Sequence, residues 1–323
     1  MPNGILYLTR EDILSIAPDD AEVIRVLKRM FLEKAAGAVE MPPKPGIHPL
    51  QDSFLHAMPA YVPSLEAAGI KWVSAYPGNP ARGLPQVDGL IILNDPATGL
   101  PTAILDAGWV TAARTAAASA IAAEALARRN SEVLAILGCG TQGRSHLASL
   151  REVFALREVR AFDASPEAAR HYAEEMEARH DIRVRSVATA EEAVREADLV
   201  VTAGPITKPA HATLTAASIS QGVFVASVDF ASYWSPDALA CFDRIATDDL
   251  PQFALYRDLG YFAGMPDPDS ELASLVSGDK AGRATPEQRT LSCNLGLALE
   301  DVVVAPLIVR RAEAAGIGRR LPR

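Results

Sequence analysis

The hydrophobic pattern divides the chain of 323 residues into two parts with different periodicities. In the second part, short apolar runs alternate with segments in which apolar residues recur at helical spacing. The predicted strands are Leu134–Leu137, Val159–Phe162, Ile182–Val187, Leu199–Ala203, Val223–Val228 and Arg244–Thr247. The predicted helices between several of them are Arg144–Leu150, Ser165–Arg179 and Thr189–Glu196. Strands that alternate with helices predict a parallel, doubly wound α/β sheet.

The first part has a different pattern. It begins with a helical pattern over Arg10–Ala36 that is broken near Pro18, and a Pro-rich loop follows. The predicted strands after this loop are Ser53–Met58, Ile70–Ala75, Gly89–Asn94 and Thr102–Asp106. Turn signals rich in Pro, Gly, Asn and Asp separate several of these strands. This part therefore predicts an α+β domain with a mostly antiparallel sheet.

Two further helical patterns set the predicted domain boundaries. Thr111–Arg128 is an alanine-rich helix with Thr111 as its predicted N-cap, and it is expected to connect the two parts. Thr290–Ala315 is an apolar helical pattern interrupted by Gly296 and Pro306, and it is expected to return to the first domain. The prediction is a first domain of residues 1–122 plus 299–323 and a second domain of residues 123–298.

The clearest candidate for chemistry lies where the strand Leu134–Leu137 ends, in the sequence Gly138-Cys-Gly-Thr-Gln-Gly143. A G-x-G-x-x-G turn between a strand and a helix binds the pyrophosphate of a dinucleotide. Gly138 permits the tight turn, Gly140 allows the phosphates to approach, and the helix N-terminus faces the anion. We therefore predict a Rossmann domain, against the alternative of a similar domain with a degenerate site. The candidate cofactor contacts in this domain are Gly138, Gly140, Thr141, Gln142, Gly143, Asp163, Ala203 and Pro205.

Asp163 bears on the choice of cofactor. It ends the second predicted strand of this domain, where a carboxylate can accept hydrogen bonds from both ribose hydroxyls of the adenosine. The same carboxylate would repel the 2′-phosphate of NADP, and the next three residues contain no arginine to receive it. The prediction is NAD. The alternative is that Asp163 caps the helix that begins near Pro166, which is compatible with ribose binding.

Composition narrows the class of protein. The net charge of −9 argues against nucleic acid or an anionic membrane as a general partner. The three cysteines form no C-x-x-C pair, so we expect a reducing compartment, no metal site, and a filling role for Cys139. The segment Met1–Thr9 does not resemble a signal peptide, and no apolar run is as long as a membrane span. These features predict a soluble cytoplasmic protein.

Three basic residues of the first domain are candidates for binding a substrate. Lys44 lies in the Pro-rich loop, Lys71 lies on an apolar strand, and Arg114 lies early in the alanine-rich helix. Lysine seldom lies between apolar strand neighbours without a partner. If the three side chains converge on the cofactor cleft, they form a cationic pocket for a carboxylate. The alternatives are a solvated Lys44, a Lys71 that reaches solvent from an edge strand, and a surface ion pair for Arg114.

These residues lie in motifs through which the chain resembles the ornithine cyclodeaminase/mu-crystallin family over nearly its full length. The matching segments are Met41-Pro-Pro-Lys44, His56-Ala-Met-Pro-Ala-Tyr61, Gly69-Ile-Lys71-Trp-Val-Ser-Ala-Tyr-Pro-Gly-Asn79, Thr111-Ala-Ala-Arg114-Thr-Ala-Ala, Gly138-Cys-Gly-Thr-Gln-Gly143 and Gly296-Leu-Ala-Leu-Glu-Asp301. The resemblance implies a homodimer built through the first domain, NAD(P) in the second, and chemistry at the α-carbon of an amino or imino acid.

The resemblance also implies roles for single residues. Lys44, Lys71 and Arg114 correspond to the carboxylate-binding set, although the family often has arginine where Lys44 stands. Asp229, which follows the strand Val223–Val228, resembles the family's catalytic aspartate, and its position suits the nucleotide crevice. Its alternative is a loop cap. Lys71 and Asp229 are thus the predicted catalytic residues, and Arg114 and Asp229 join the predicted cofactor contacts.

His56 distinguishes the reactions that this family resemblance allows. Ornithine cyclodeaminases have a glutamate at this place that helps to bind the distal amine, and a histidine is a better partner for a carboxylate. We therefore expect an NAD(H)-dependent reductase of a small imino acid, of the ketimine or iminosuccinate type. An ornithine cyclodeaminase that recycles its NAD and a non-catalytic, crystallin-like nucleotide-binding protein remain alternatives. His56 could instead be a packed strand residue.

Overall fold

The structure, a computed structural model, describes residues 4–50 and 53–322. Two segments of the sequence analysis extend beyond the described residues. They are Met1–Thr9, by its first three residues, and 299–323, by its last residue. The chain forms two compact units. The first consists of Met1–Arg114 and Gly296–Arg323, and the second of Thr115–Leu295. The sequence analysis put these boundaries after residues 122 and 298.

The strands and helices of the described chain are numbered in chain order. The strands are β1 (Ile5–Leu8), β2 (Gly46–Ile47), β3 (Phe54–Val62), β4 (Ala67–Ala75), β5 (Val87–Asn94), β6 (Pro101–Asp106), β7 (Val133–Leu137), β8 (Glu158–Phe162), β9 (Arg183–Ser186), β10 (Leu199–Thr202), β11 (Phe224–Ser227), β12 (Arg244–Thr247), β13 (Ser270–Glu271), β14 (Thr290–Cys293) and β15 (Arg319–Leu321). The helices are α1 (Arg10–Ile16), α2 (Asp20–Ala35), α3 (Gly108–Leu126), α4 (Thr141–Arg151), α5 (Pro166–His180), α6 (Ala190–Val194), α7 (Pro236–Leu239), α8 (Leu250–Asp258), α9 (Leu272–Ser277) and α10 (Ala298–Ala315).

The sheet of the first unit has the order β15-β1-β6-β5-β4-β3-β2. Its neighbouring strands are antiparallel except for β1 and β6, which run parallel. The mostly antiparallel α+β prediction is therefore confirmed, and the predicted helix break near Pro18 separates α1 from α2. Strands β1, β2 and β15 were not predicted, because they are too short to show a clear alternation of apolar and polar residues.

The two faces of this sheet differ. Helix α10 packs on β3, β4 and β5, and α2 packs against α10. Residues of β4 alternate across the sheet, so Lys71 and Val73 are buried on the α10 face. Trp72, between them, is 42% exposed on the opposite face, and its cross-strand partner Leu90 is 43% exposed. This opposite face therefore presents large apolar side chains that the described chain leaves half uncovered.

The sheet of the second unit has the order β13-β12-β14-β11-β10-β7-β8-β9, and its strand pairs are all parallel. This arrangement confirms the predicted doubly wound sheet. Central strands are buried over most or all of their length: the residues Leu134–Leu137 of β7 and Leu199–Thr202 of β10 are all buried. A parallel sheet covered on both faces favours such continuous apolar runs.

Two helix predictions were wrong at their starts. The predicted helix Thr290–Ala315 is in fact the buried strand β14 followed by α10, because a short apolar run fits a buried strand as well as a helix. Thr111 is not the N-cap of α3, which begins one turn earlier at Gly108. The Asp106 carboxylate accepts a hydrogen bond from the Gly108 N–H at 2.9 Å and so supports that earlier start.

No helix within residues 4–50 and 53–322 combines the length and the apolar character that crossing a membrane requires.

Candidate active site

The glycine turn lies between β7 and α4, as the motif requires. Gly138 has φ +101°, and a Cβ there would lie 2.5 Å from the carbonyl oxygen of Ala203 at the end of β10. A Cβ on Gly143 would lie 2.5 Å from the carbonyl oxygen of Gly138. Both positions therefore exclude any larger residue, and the turn is packed directly against Ala203. Pro205, two residues further along, is exposed.

The remaining features of this turn fit a dinucleotide. A Cβ on Gly140 would meet no atom within 4 Å, so open space lies where a phosphate would approach. Helix α4 begins at Thr141 without a side-chain cap, which leaves its first N–H groups for an anion. The side-chain Oε1 of Gln142 is buried and has no hydrogen-bond partner in the described structure. A polar atom buried without a partner suits a site that a polar ligand completes.

Asp163 ties the end of β8 to the glycine turn. Its Oδ2 accepts a hydrogen bond from the Cys139 N–H at 2.8 Å, and its Oδ1 accepts one from the Ser165 N–H at 2.9 Å. A carboxylate has about four acceptor positions, so ribose hydroxyls can still bind to it. The side chain that caps α5 belongs to Ser165, which accepts from the Ala168 N–H. Asp163 is therefore not the cap of that helix.

Cys139 lies inside the turn as a buried filler. Burial, with Asp163 nearby, raises the pKa of its thiol to about 12, so the thiol stays protonated and weakly nucleophilic at neutral pH. The described parts of the chain contain no cluster of three or more His, Cys, Asp or Glu side chains placed to hold a metal ion.

Asp229 follows β11 and is fully buried. Its Oδ1 accepts hydrogen bonds from Thr202 Oγ1 at 2.6 Å and from Ser227 Oγ at 2.9 Å. Burial raises the pKa of Asp229 to about 7, and these hydrogen bonds oppose that rise. An aspartic acid that is half protonated near neutral pH can both give and accept a proton.

Lys71 forms a buried ion pair in the first unit. Its Nζ lies 2.6 Å from Asp301 Oδ2 and 3.5 Å from the hydroxyl of Thr111, and both charged side chains are almost fully buried. Burial lowers the pKa of Lys71 to about 8, while Asp301 opposes this shift and Arg114 adds to it. Lys71 therefore does not reach solvent, and it stays mostly charged at neutral pH.

Arg114 is paired with two acids in the first turn of α10, one of which is Asp301. Its Nη1 lies 2.8 Å from Glu300 Oε2, and its Nε lies 3.3 Å from Asp301 Oδ1. Lys44 Nζ donates to the carbonyl oxygen of Gly296 at 2.5 Å. Gly296 has φ +78°, and a side chain there would collide with the Arg114 guanidinium. Gly296 thus connects the surroundings of Lys44 and Arg114.

The structure modifies the predicted cationic pocket. Lys44, Lys71 and Arg114 all belong to the first unit, but Lys71 and Arg114 are paired with the buried carboxylates of Asp301 and Glu300. These two acids lie in the motif Gly296-Leu-Ala-Leu-Glu-Asp301, but no role was predicted for them. Two adjacent acids in the first turn of a mainly apolar helix were the available signal, since burying such charges requires cationic partners.

His56 lies on β3 and is half-buried. Its ring stacks on Phe54 with centroids 4.0 Å apart and lies edge-on to His48 at 6.3 Å. Burial, and then the nearby charges of Lys44 and His48, lower the pKa of His56 to about 4. The imidazole is therefore neutral at neutral pH and can offer a hydrogen bond to a ligand, while Lys44 supplies the charge nearby.

The fold and these side chains define a class: a dinucleotide-binding unit joined to a unit with a buried cluster of charged residues. The chain belongs to the ornithine cyclodeaminase/mu-crystallin family, whose model matches residues 8–316.

Named relatives of this chain act on amino or imino acids. It is 35% identical to the alanine dehydrogenase of Archaeoglobus fulgidus, over 98% of each chain. Its fold matches the Thermococcus litoralis Δ1-pyrroline-2-carboxylate reductase in complex with NADH and L-proline, with a TM-score of 0.90, 30% identity, and coverage of 98% of this chain and 100% of that one. It also matches an archaeal alanine dehydrogenase dimer with bound NAD, with a TM-score of 0.86, 33% identity and coverage of 98% of each chain.

The buried ion pair makes a stability prediction. Lys71→Met should lower the free energy of unfolding by about 3 kcal/mol, because it leaves the buried Asp301 carboxylate without its ammonium partner. Asp301→Asn should also destabilise strongly, and the double variant should lose clearly less than the sum of the two single losses. Urea unfolding at pH 7 measures all three, with Lys280→Met as an exposed-lysine control that should change stability little. Strictly additive losses would contradict the pairing.

Proposed function

We propose that this protein is an NAD(H)-dependent oxidoreductase that interconverts a small α-imino acid and the corresponding α-amino acid. The observation that carries the proposal is Lys71, a buried ammonium held by Asp301 in the unit that lacks the glycine turn. A fixed, desolvated charge of this kind is suited to binding a substrate carboxylate. The related alanine dehydrogenase and pyrroline-2-carboxylate reductase support this class of reaction.

The second unit would hold the cofactor. The N–H groups at Thr141 and Gln142 would bind the pyrophosphate, Asp163 would bind the adenosine ribose, and Ala203 and Pro205 would border the dinucleotide. Bound NADH supplies a hydride to the substrate α-carbon, and NAD+ accepts it in the reverse direction. Arg114 stays a proposed contact of both cofactor and substrate.

Lys71 and Arg114 would hold the substrate carboxylate. Arginine carries five N–H donors and lysine three, so cations already held by Glu300 and Asp301 can also face an anion. The acids fix the directions of both cations before substrate arrives, which reduces the entropy lost on binding. Lys44 would add a third positive charge and thereby tip the local balance towards anions.

Asp229 would exchange a proton with the substrate nitrogen. With a pKa of about 7, it is available as an acid for the imine in the reductive direction and as a base for the amine in the oxidative direction. A buried carboxyl group whose pKa is shifted in this way is a candidate for proton exchange, which favours an enzyme over the non-catalytic alternative.

The environment of His56 supports a finer proposal about the substrate. A second carboxylate, as in an iminosuccinate-type substrate, would meet a neutral histidine beside Lys44 and His48, and its arrival would raise the pKa of His56. The distal ammonium of ornithine would meet these groups without the glutamate that ornithine cyclodeaminases have at this place. A cyclodeaminase reaction is therefore the less favoured, second candidate.

Two assays separate these functions. The protein should consume NADH with an α-imino acid, supplied as oxaloacetate or pyruvate with ammonia or as Δ1-pyrroline-2-carboxylate, and should release no ammonia from ornithine. His56→Glu should selectively weaken the dicarboxylic substrate, by about a hundredfold in kcat/KM if that substrate's second carboxylate lies at this position. His171→Glu, on the second unit, is the matched control and should leave the ratio of substrates unchanged. Efficient formation of proline from ornithine by the unmodified protein would overturn the reductase proposal.

The cofactor preference rests on Asp163. The unmodified protein should bind NADH more tightly than NADPH, because the carboxylate repels a 2′-phosphate. Asp163→Ala combined with Ala164→Arg should reverse this order, as measured by fluorescence titration with both cofactors. Since Asp163 also holds the Cys139 N–H, Asp163→Asn is the control that keeps an acceptor but removes the charge. Tighter binding of NADPH by the unmodified protein would contradict the assignment.

We also propose that the protein is a homodimer through the first unit, like the archaeal alanine dehydrogenase dimer among its structural relatives. The family resemblance already implied a homodimer through this part of the chain. The exposed surface that favours a partner is instead the sheet face opposite α10, with Trp72 and Leu90 directly paired on it. A half-exposed apolar sheet face of this kind is typical of an interface.

Charges placed on this face should separate the dimer. The double variant Trp72→Lys with Leu90→Asp should sediment as a monomer at micromolar concentration, whereas the unmodified protein should sediment as a dimer. Leu14→Lys, at a 56% exposed leucine of α1, is the control and should remain dimeric. A monomeric unmodified protein, or a double variant that stays dimeric, would contradict the assignment of this face.

A further inference from the structure

Two hydroxyl groups converge on one oxygen of the Asp229 carboxyl. Thr202, the last residue of β10, donates from Oγ1 to Oδ1 over 2.6 Å. Ser227, the last residue of β11, donates from Oγ to the same Oδ1 over 2.9 Å. The other oxygen, Oδ2, is also buried and accepts no hydrogen bond within the described chain. The backbone N–H groups of Asp229 and Tyr233 are close enough to the carboxyl group to favour its charged form. The two oxygens of this carboxyl thus have different surroundings.

The turn after Asp229 fixes this asymmetry. Phe230 and Ala231 have φ values of +54° and +60°, a left-handed conformation that is unfavourable for residues with side chains. Ser227 Oγ accepts a hydrogen bond from the Ala231 N–H at 2.9 Å, and Ser232 Oγ donates to the Asp229 carbonyl oxygen at 2.6 Å. Ser227 therefore holds both the carboxyl and the turn, so the orientation of Asp229 is built into the fold.

We propose that Thr202 and Ser227 are positioning residues that reserve Oδ1 for the negative charge and make Oδ2 the atom that carries and transfers the proton. An oxygen that already accepts two hydrogen bonds is the less basic of the two, so the proton resides on the other. This inference rests on the proposed function, in which Asp229 exchanges a proton with the substrate nitrogen.

In this proposal one proton moves between Asp229 Oδ2 and the substrate nitrogen. In the reductive direction the O–H bond at Oδ2 breaks, an N–H bond forms on the imine nitrogen, and the electron pair of the broken bond stays on the carboxylate. The new negative charge then meets two hydroxyl donors that are already in place. Donors arranged in advance stabilise a developing charge without reorganisation.

The titratable neighbours of Asp229 do not share its proton. Burial raises the pKa of Tyr233 to about 12 and that of Cys293 well above its ordinary value, so both stay neutral near pH 7. Asp248 is the other acid that raises the pKa of Cys293. It follows β12, and its side chain accepts hydrogen bonds from Thr247 Oγ1 and from the Leu295 N–H. Within the second unit, Thr202 and Ser227 are thus the side chains that oppose the effect of burial on Asp229.

The test measures the acidity of Asp229 with and without its donors. Infrared spectra of protein labelled with 13C-aspartate would follow the protonated carboxyl through a pH titration, and Asp229→Asn would identify its band. Thr202→Val should raise the pKa of Asp229 by about one unit, because one hydrogen bond to the charged form is lost. Thr202→Ser keeps the hydroxyl and should leave the pKa unchanged. Thr247→Val, which removes a buried hydroxyl at the corresponding end of β12, should not shift it.

Kinetics and a second variant complete the test. The pH profile of kcat for Thr202→Val should move to higher pH by the same amount, with KM for the imino acid nearly unchanged. Ser227→Ala should shift the pKa in the same direction. An unshifted pKa in both Thr202→Val and Ser227→Ala, or an equal shift in Thr202→Ser, would overturn the inference. The infrared titration needs no turnover, so a shifted pKa in a protein that reduces no imino acid would count against the proposed function alone.

Discussion

The burial of the Lys71 ammonium under α10 is the constraint on which the first unit depends. A charge taken out of water requires a close counter-charge, and here the Asp301 carboxylate supplies it at 2.6 Å. Asp301 can do so only if α10 lies across β4, and Glu300 beside it engages Arg114. One helix turn therefore fixes both cations, and the position of α10 on the sheet is set by charge pairing as well as by apolar packing.

The two units place ionisable groups by the same physical means. Burial disfavours the charged form of any side chain, so it lowers the pKa of Lys71 and raises that of Asp229. The pKa of Lys71 falls to about 8, and the pKa of Asp229 rises to about 7. Burial thus moves two groups with very different ordinary pKa values towards neutral pH.

Much of this architecture could be predicted from the sequence, because its signals are local. The G-x-G-x-x-G turn, the alternation of strands with helices and the break between α1 and α2 each depend on a few adjacent residues. The strand β14 was mistaken for helix because an apolar run of that length lacks a distinguishing period. The partners of Lys71 and Asp229 are harder to predict. Asp301 is distant from Lys71 in sequence, and the Thr202 hydroxyl reaches Asp229 only because β10 and β11 are neighbours in the sheet.

The division of the chain has a consequence for biosynthesis. The second unit is one continuous segment, whereas the first is assembled from the segments on either side of it. A ribosome therefore completes the second unit before it has made α10. Until Asp301 emerges, Lys71 has no counter-ion, and the sheet around it lacks the helix that covers its α10 face. We expect the nascent first unit to stay open while the second unit folds, so that α10 closes the first unit only after the second is complete.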